Sequence, residues 1–285
     1  MRYRDRLRVL LGELSARSPA FRGKTRVARR LDRLIGAGPL PEVERGGVRW
    51  QLDTTELIQF GIFYHGGYGV AVADALARLA AERGAGRPLV LWDVGANIGA
   101  VTLPLLARLP HLRVEAFEPS PRVLAQLRRQ VALNPALAAR LRIHPLALSD
   151  ADAPLSFYES GSATNQGIGS LVPMHNTSET GLPVEGASGD ALIARGEALP
   201  PDLLKVDVEG WELHVLRGLA RTLTARHPAV VMEYEAYRHA PAGRSLADFE
   251  AFFQSCGYGS LDALAAGGGF EPLGARASVD VVARR

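Results

Sequence analysis

The chain has 285 residues, 47% of them hydrophobic and 22% charged, with a formal net charge of +3. This balance is ordinary for a globular protein large enough to bury a core, and the absence of an apolar run of about 18 residues argues against a membrane span. A single cysteine, Cys256, excludes an internal disulfide and a cysteine metal cluster. The basic amino terminus lacks the apolar segment of a secretory signal, so we expect a cytoplasmic protein.

The positive charge is concentrated at the amino terminus. Residues 1–33 hold ten arginines and Lys24 against three acidic residues, a balance of +8, so the rest of the chain carries −5. Residues 1–35 predict one or two basic amphipathic helices, and we take 1–46 as a basic helical extension and 47–285 as the main domain. The extension is either solvated or a surface for nucleic acid or anionic lipid. It lacks interleaved aromatic residues, so we expect no nucleic-acid partner.

The main domain alternates strands with helices, which predicts an α/β fold with a mostly parallel sheet covered on both faces. A short strand at 47–53 precedes a mostly helical stretch, 54–83, around the turn at 65–69. The predicted strands are 89–94, 112–118, 141–146, 154–158, 202–208, 228–235 and 278–283. The predicted helices are 98–109, 120–133, 187–195, 210–224 and 245–256. The polar segment 159–186 is long for a loop in a compact domain and is expected to close over a ligand site.

The most informative motif is the turn Asp93-Val-Gly-Ala-Asn-Ile-Gly99 after the first predicted main strand. Gly95 allows a turn that a side chain would penalise, and Asp93 ends the strand where it can attract a cationic amino-acid group. A dinucleotide site needs G-x-G-x-x-G, but Asn97 replaces the second glycine and an acid precedes the first. The motif favours an adenosine-containing cofactor, with a plain structural turn as the alternative.

Two further strand ends carry polar residues. Glu118 ends the second main strand and can accept hydrogen bonds from ribose hydroxyls, or can be a solvated acid. Pro119 ends that strand, and Ser120 can cap the next helix. The sequence Ala147-Leu-Ser-Asp150 follows the third strand, where Ser149 can contact an adenine edge or form an ordinary turn.

The segment Leu203-Leu-Lys-Val-Asp-Val-Glu-Gly-Trp-Glu212 places charged residues on a strand that should be buried. Lys205, Asp207 and Glu209 alternate with apolar residues and so share one side. Buried charges are costly unless paired. Lys205 is therefore either part of a structural ion pair, or belongs to a strand end that delivers Asp207 and Glu209 into a ligand crevice.

These four motifs, in this order, resemble the FkbM family of S-adenosylmethionine-dependent methyltransferases over roughly residues 53–240. The resemblance implies a three-layer, Rossmann-like class I methyltransferase domain, with a seven-stranded, mostly parallel sheet whose last strand is antiparallel. It implies S-adenosyl-L-methionine as cofactor, with Gly95, Asn97 and Gly99 on the methionine side and Asp207 and Glu209 facing the methyl group. In the aromatic turn at 67–69, Gly69 stands where relatives often have an acid. The candidate cofactor-binding residues are Asp93, Gly95, Asn97, Gly99, Glu118, Pro119, Ser120, Leu148, Ser149 and Asp207.

Methyl transfer to an alcohol benefits from a general base, and the candidates are Glu209, Asp207, Glu233 and Glu235. His65, His144 and His239 lie in turns that can also approach. We favour Glu209 as base, with Lys205, Asp207 and Glu233 as the other candidate catalytic residues. No histidine has ligand spacing beside these acids, so we expect Lys205 rather than a metal to neutralise them.

The acceptor is expected to be a hydroxyl of a sugar, glycan or secondary metabolite, with an N-methyl or macromolecular acceptor as the alternative. A nicotinamide dehydrogenase and a non-catalytic cofactor-binding module are less consistent with the motifs. Asn165, Gly167 and Ser170 are the expected contacts from the long loop. Tyr64, His65 and Tyr68 either line the acceptor pocket or pack the amino-terminal segment. The chain is either a monomer or a homo-oligomer.

Overall fold

The computed structural model describes residues 3–19, 21–84, 86–162, 164–165, 167, 169–175, 177–259, 261–265 and 268–285. The helices are α1 (Tyr3–Arg17), α2 (Lys24–Ile35), α3 (Leu57–His65), α4 (Val70–Glu82), α5 (Thr102–Arg108), α6 (Pro121–Ala132), α7 (Pro135–Ala138), α8 (Gly189–Ala194), α9 (Glu212–Gly218), α10 (Ala220–Arg226), α11 (Ala236–His239) and α12 (Leu246–Ser255). The strands are β1 (Val43–Arg45), β2 (Val48–Trp50), β3 (Leu89–Val94), β4 (Leu112–Phe117), β5 (Leu141–His144), β6 (Ala147–Ser149), β7 (Ala153–Phe157), β8 (Leu182–Ser188), β9 (Leu203–Val206), β10 (Ala229–Glu235), β11 (Asp262–Leu264), β12 (Phe270–Pro272) and β13 (Ser278–Ala283).

The main sheet of the described chain has eight strands in the order β12-β11-β13-β10-β9-β3-β4-β5. Strands β5, β4, β3, β9 and β10 are parallel, and β13 pairs antiparallel with both β10 and β11. The predicted α/β class and antiparallel last strand are confirmed. The predicted count of seven strands is wrong, because β11 and β12 join the edge while the predicted strand 154–158 lies outside this sheet.

The order of the strands creates a crevice. The chain moves from β3 outwards through β4 to β5, then returns to the other side of β3 with β9 and continues to β10. Connections on either side of β3 therefore leave in opposite directions, and a crevice opens between them at the carboxyl ends of the strands. The motif residues at those strand ends are brought to this edge by the topology alone.

A second, three-stranded sheet, β6-β8-β7, lies beside the main one. Several predicted elements have different bounds in the structure. The predicted strand 141–146 ends at His144 as β5, a separate strand β6 begins at Ala147, and the predicted helix 187–195 begins as the end of β8. The predicted helix 210–224 divides into α9 and α10 around Leu219, and the helix predicted from residue 98 begins at Thr102.

Apolar side chains on the two faces of the main sheet form two cores, which is the three-layer arrangement. On β3, Leu91 belongs to one core and Trp92 to the other, as expected for alternating side chains. The first core includes Leu76 and Leu103 from α4 and α5. The second is packed by α9, α10 and α12, with Phe249 among its fully buried side chains.

The predicted basic helices at the amino terminus are confirmed as α1 and α2. Arg8 of α1 is buried and pairs with Asp32 of α2 at 3.3 Å. Asp32 also accepts hydrogen bonds from the hydroxyls of Thr54 (2.6 Å) and Tyr64 (2.8 Å), so the helices are tied to the main domain. The proposed domain boundary at 46/47 coincides with the turn between β1 and β2 and stays a prediction. Among the described residues, no helix combines the length and apolar character needed to span a bilayer.

Candidate active site

A cleft of about 300 Å³ lies at the carboxyl ends of β3, β4, β9 and β10, where the strand order reverses. Its size is within the range of small-molecule sites. It brings together most of the sequence-predicted residues. Those that line it are Gly95, Asn97, Glu118, Pro119, Leu148, Lys205, Asp207, Glu209 and Glu233.

The turn after β3 is shaped by Gly95 and Asn97, both of which have positive φ angles of 79° and 52°. A Cβ on Gly95 would lie 1.9 Å from the backbone oxygen of Asp207, so only glycine permits this approach of the two loops. Asparagine tolerates the left-handed conformation better than most residues. The turn is held by the N–H groups of Gly95 and Ala96, which both donate to the Phe117 oxygen at 3.0 Å.

Glu118 follows β4 and is almost completely buried at the cleft. The backbone N–H groups of Asn97 (3.0 Å) and Ser120 (2.9 Å) donate to its carboxylate. Burial nevertheless outweighs these bonds and raises the pKa of Glu118 to about 7. A carboxylate held in this way has lone pairs directed at the cleft and can accept hydrogen bonds from vicinal hydroxyls.

Lys205 is buried at the end of β9 and links the strand ends. Its ammonium lies 3.0 Å from Asp93 and 3.6 Å from Asp207, and it donates to the Gly95 oxygen at 3.0 Å. Burial alone would lower the pKa of Lys205, but the two carboxylates reverse that effect and raise it. Lys205 is therefore charged and fixes the glycine turn relative to the acids.

Three carboxylates, from Asp207, Glu209 and Glu233, meet beside Lys205. One oxygen of each lies within 4.8 Å of the others. Burial, with Asp207 close by, raises the pKa of Glu209 to about 8 and also raises that of Glu233. The two glutamates are therefore largely protonated near neutral pH in the ligand-free chain, and a bound cation would favour their ionised forms.

Glu209 sits in a strained turn between β9 and α9. Its φ angle is 59°, which is uncommon for glutamate. The Glu212 carboxylate holds the turn by accepting from the N–H groups of Val208 and Gly210, both at 3.1 Å. The hydroxyl of Ser170 donates to the backbone carbonyl oxygen of Glu209 at 2.8 Å. These contacts aim the Glu209 side chain into the cleft despite the backbone cost.

Sequence reasoning missed Arg238, which follows β10 and lines the cleft. Its guanidinium forms ion pairs with Glu209 and Glu235. It also missed the role of Glu212, which is buried and paired with His239 at 3.2 Å. The sequence did contain a signal for Arg238, because it follows the strand-end Glu235 by three residues. At that spacing the arginine side chain can reach back to the glutamate.

Four predicted cofactor residues do not line the cleft. Asp93 is fully buried, where it pairs with Lys205 and accepts from the Thr102 hydroxyl. Gly99 packs against Leu103 and Leu127. Ser120 caps α6, as predicted, and the Ser149 hydroxyl accepts from the Trp211 indole at 3.2 Å. Their effect on a ligand is therefore indirect in this structure, and their direct contacts stay predictions.

The histidine candidates also lie outside the cleft. His144 pairs with buried Glu115 at 2.6 Å, His239 pairs with Glu212, and His65 lies 3.2 Å from the Thr25 hydroxyl. Of the aromatic turn, Tyr68 lines the cleft, together with Gly69. Tyr64 instead belongs to the contact between the amino-terminal helices and α3.

The long polar segment covers one side of the cleft, where Asn165, Gly167, Gly169 and Leu171 line it. A Cβ on Gly167 would lie 2.4 Å from the Asn97 amide, so the segment packs closely on the glycine turn. Ser170 does not line the cleft, but its hydroxyl binds the backbone oxygen of Glu209. Residues 163, 166, 168 and 176 of the predicted loop lie outside the described residues.

The donor set fits S-adenosylmethionine better than a dinucleotide. Carboxylates of Asp207, Glu209 and Glu233 suit its ammonium and sulfonium charges, and would repel a pyrophosphate. Phe117, Leu148 and Phe157 add apolar walls. The grouping of the three acids is also of a size that a divalent cation could use, so the expectation of a metal-free site stays a prediction.

Comparison with known sequences agrees with this geometry. Residues 93–259 match the sequence model of the methyltransferase FkbM domain, which is more than half of the chain. The chain belongs to the FkbM methyltransferase family. The matched span contains every motif from the glycine turn to α12.

The chain is also similar in sequence to individual methyltransferases. The hexuronic acid methyltransferase AglP of Haloferax volcanii is 34% identical over 143 residues, covering 50% of this chain and 54% of the relative. Methyltransferase 1 of Beauveria bassiana is 33% identical over 144 residues, covering 45% and 57%. The chain thus spans little more than half the length of these relatives. A solved FkbM methyltransferase from Methylobacillus flagellatus is 16% identical, with a TM-score of 0.47, over 95% of this chain and 76% of that chain.

Proposed function

We propose that this chain transfers the methyl group of S-adenosylmethionine to a hydroxyl oxygen of a sugar, a glycan or a small natural product. The observation that carries the proposal is that a single cleft joins the glycine turn, Glu118 and the three acids Asp207, Glu209 and Glu233. Family membership supports methyl transfer as the reaction. The cleft supports a cationic, hydroxylated cofactor.

Glu118, Asp207 and the Gly95–Asn97 turn would hold the cofactor. The carboxylate of Glu118 would accept from ribose hydroxyls, and the acids beyond Lys205 would face its positive charges. When bound, S-adenosylmethionine supplies an electrophilic methyl group on a sulfonium. Because that methyl is already reactive, the protein's main contribution is to hold the acceptor oxygen in line with it.

Glu209 would orient the acceptor hydroxyl and take its proton. Its pKa of about 8 lies close to neutrality, which suits a general base. Arg238 keeps the Glu209 carboxylate in one orientation through its ion pair. Glu233 lies beside it and can share the proton or bind a neighbouring hydroxyl.

A sugar acceptor is supported by two observations. AglP, one of the relatives, is named for a hexuronic acid, which is a hydroxylated ring with a carboxylate. The cleft also offers glutamates, which can bind hydroxyls. Hydroxyl-rich rings satisfy such groups better than apolar scaffolds do.

The test is a transfer assay with S-adenosylmethionine and a panel of acceptors containing a hexuronic acid, a neutral hexose and a polyhydroxylated aglycone. Mass spectrometry should find a methylated product with one of them. Glu209→Gln should lower kcat by roughly 10²–10⁴-fold while S-adenosylmethionine still binds, because a base is lost and the cofactor contacts remain.

Glu185→Gln, at an exposed position of β8, is the matched control and should keep full activity. Unchanged turnover in Glu209→Gln would remove the base role. If the wild-type chain binds S-adenosylmethionine yet methylates none of these hydroxyl acceptors, the hydroxyl acceptor is wrong.

A further inference from the structure

The amino-terminal helices expose an unusual amount of apolar surface. Leu10, Leu14, Phe21, Val27, Leu31 and Leu34 are each between 39% and 76% exposed. Four of them, Leu14, Phe21, Val27 and Leu31, line a shallow groove of about 240 Å³ between α1 and α2. We call these six residues the arm surface.

The arm surface is separate from the face that holds the helices to the domain. The buried residues of α1 and α2 are Arg8, Gly12, Ala28 and Asp32, and of these Arg8 and Asp32 bind Thr54 and Tyr64 of the main domain. A Cβ on Gly12 would lie 2.4 Å from the Phe63 ring, so α1 is closely docked. The exposed leucines are therefore not needed to attach the helices, and their exposure requires another explanation.

The exposed face of α2 has a regular arrangement. Val27, Leu31 and Leu34 are spaced by four and three residues and form one apolar stripe. Arg26, Arg30 and Arg33 have the same spacing one residue earlier and are all exposed, so they form a basic stripe about 100° around the helix. On α1, exposed Arg6 lies four residues before Leu10 and exposed Arg17 three residues after Leu14, so the two arginines extend the apolar stripe at its ends.

The acids of this region do not balance these cations. Asp32, the single acid of α2, is buried and pairs with Arg8. The exposed face of α2 therefore presents arginines beside aliphatic side chains. A helix of this type lies on an anionic bilayer, with its apolar stripe among the acyl chains and its cations at the headgroups.

We propose that the arm surface docks on an anionic lipid bilayer. A second copy of the chain fits less well, because a two-fold interface would place the basic stripes against each other. Nucleic acid fits less well because phosphates would satisfy the arginines and leave the leucines in water. A bilayer with anionic headgroups satisfies both sets of side chains.

Vesicle flotation with the whole chain tests this proposal. The chain should float with vesicles of phosphatidylglycerol and phosphatidylcholine, but only weakly with vesicles of phosphatidylcholine alone, and added salt should weaken binding. Each cation near an anionic surface strengthens binding roughly fivefold, so R26Q/R30Q/R33Q should lower the partition coefficient roughly a hundredfold. Leu31→Ser with Leu34→Ser should lower it about tenfold or more.

The matched control R113Q/R128Q/R142Q removes the same charge from exposed positions elsewhere and should keep vesicle binding within about twofold. Equal losses in both arginine triples would reduce the effect to net charge and overturn the proposal. It also fails if the wild-type chain ignores anionic vesicles while sedimentation shows a dimer that L31S/L34S dissociates. Binding of an RNA or DNA oligonucleotide through the α2 arginines, without vesicle binding, would overturn it as well.

Discussion

Glu118 and Glu209 are carboxyl groups kept where water solvates them poorly, and both have raised pKa values. A buried carboxylate without a full cation partner destabilises the folded state. Such groups are expected where a ligand later supplies the missing partners. Hydroxyls at Glu118 and positive charge near Glu209 would do so, which links their unfavourable positions to the proposed cofactor.

Protonation of Glu118 predicts the direction in which stability depends on pH. Its pKa is about 7 in the folded chain and near 4.5 when unfolded, so the folded state binds the proton more tightly. Its stabilising contribution is complete below about pH 4.5 and is lost as pH rises towards 7. Urea unfolding of the ligand-free chain should therefore show a free energy of unfolding that falls between pH 5 and pH 8, with roughly 2–3 kcal/mol of the fall due to Glu118.

A neutral side chain at this position removes the part of the pH dependence that belongs to Glu118, while the raised pKa values of Glu209 and Glu233 keep theirs. Glu118→Gln should be more stable than the wild type at pH 8 and similar at pH 5, since glutamine resembles the protonated acid. Glu185→Gln, which changes an exposed glutamate, should follow the wild type. A wild-type stability that rises over this pH range would contradict the assignment.

At the residue scale, the sequence predicted the location of those site residues that directly follow a parallel strand. Asn97, Glu118, Asp207 and Glu209 could be placed at the cleft because parallel strands bring their carboxyl ends to one edge. The contact of the Ser149 hydroxyl with the Trp211 indole could not be predicted, because Trp211 lies more than 60 residues later. Contacts between distant segments of this kind leave no local pattern.

The turns after β3 and β9 act as one unit. The Lys205 ammonium donates a hydrogen bond to the backbone oxygen of Gly95 and pairs with Asp93 and Asp207. One ammonium therefore connects both turns. The close approach of Gly95 to the Asp207 oxygen depends on the same arrangement. The geometry of the acids is thus set by a buried ion pair as well as by the strands.

Lys205→Met should disrupt this unit. Asp93 is completely buried and would lose its cation, and removal of one partner of a buried pair costs about 3–5 kcal/mol. The free energy of unfolding should fall by that amount, and methyl transfer should fall with it. Adding Asp93→Asn should recover part of the stability, because the buried charge is removed, without recovering transfer.

That double variant separates the two roles of Lys205. Recovery of both stability and transfer would mean that Lys205 serves the fold alone. If Lys205→Met were as stable as the wild type, the buried pair would not stabilise the fold.

At the element scale, long strands and helices with a clear apolar pattern were predictable, as β3, β4, β10 and α12 show. The short strands β11 and β12 were not. Each has three residues in a glycine-rich region, and their pairing with β13 and with each other decides their structure. The same reason explains β6 and β8, which form a small sheet between distant segments.

The whole molecule combines a cleft at the reversal of strand order with a basic helical arm, α1 and α2, at the amino terminus. The arm docks through the buried group of Arg8, Asp32, Thr54 and Tyr64, so the arm surface is held by the domain rather than by a free tail. The proposed functions of the two regions are independent. Loss of vesicle binding therefore need not change transfer to a small acceptor in solution.

The central claim is that the strand-end acids and the glycine turn form one site for a positively charged sulfonium nucleoside. Isothermal titration of the folded chain with S-adenosylmethionine, and separately with NAD, tests it most directly. The account predicts 1:1 binding of S-adenosylmethionine, weakened in Glu118→Gln, and no heat from NAD. A folded chain that does not bind S-adenosylmethionine, or that binds NAD equally well, would contradict it.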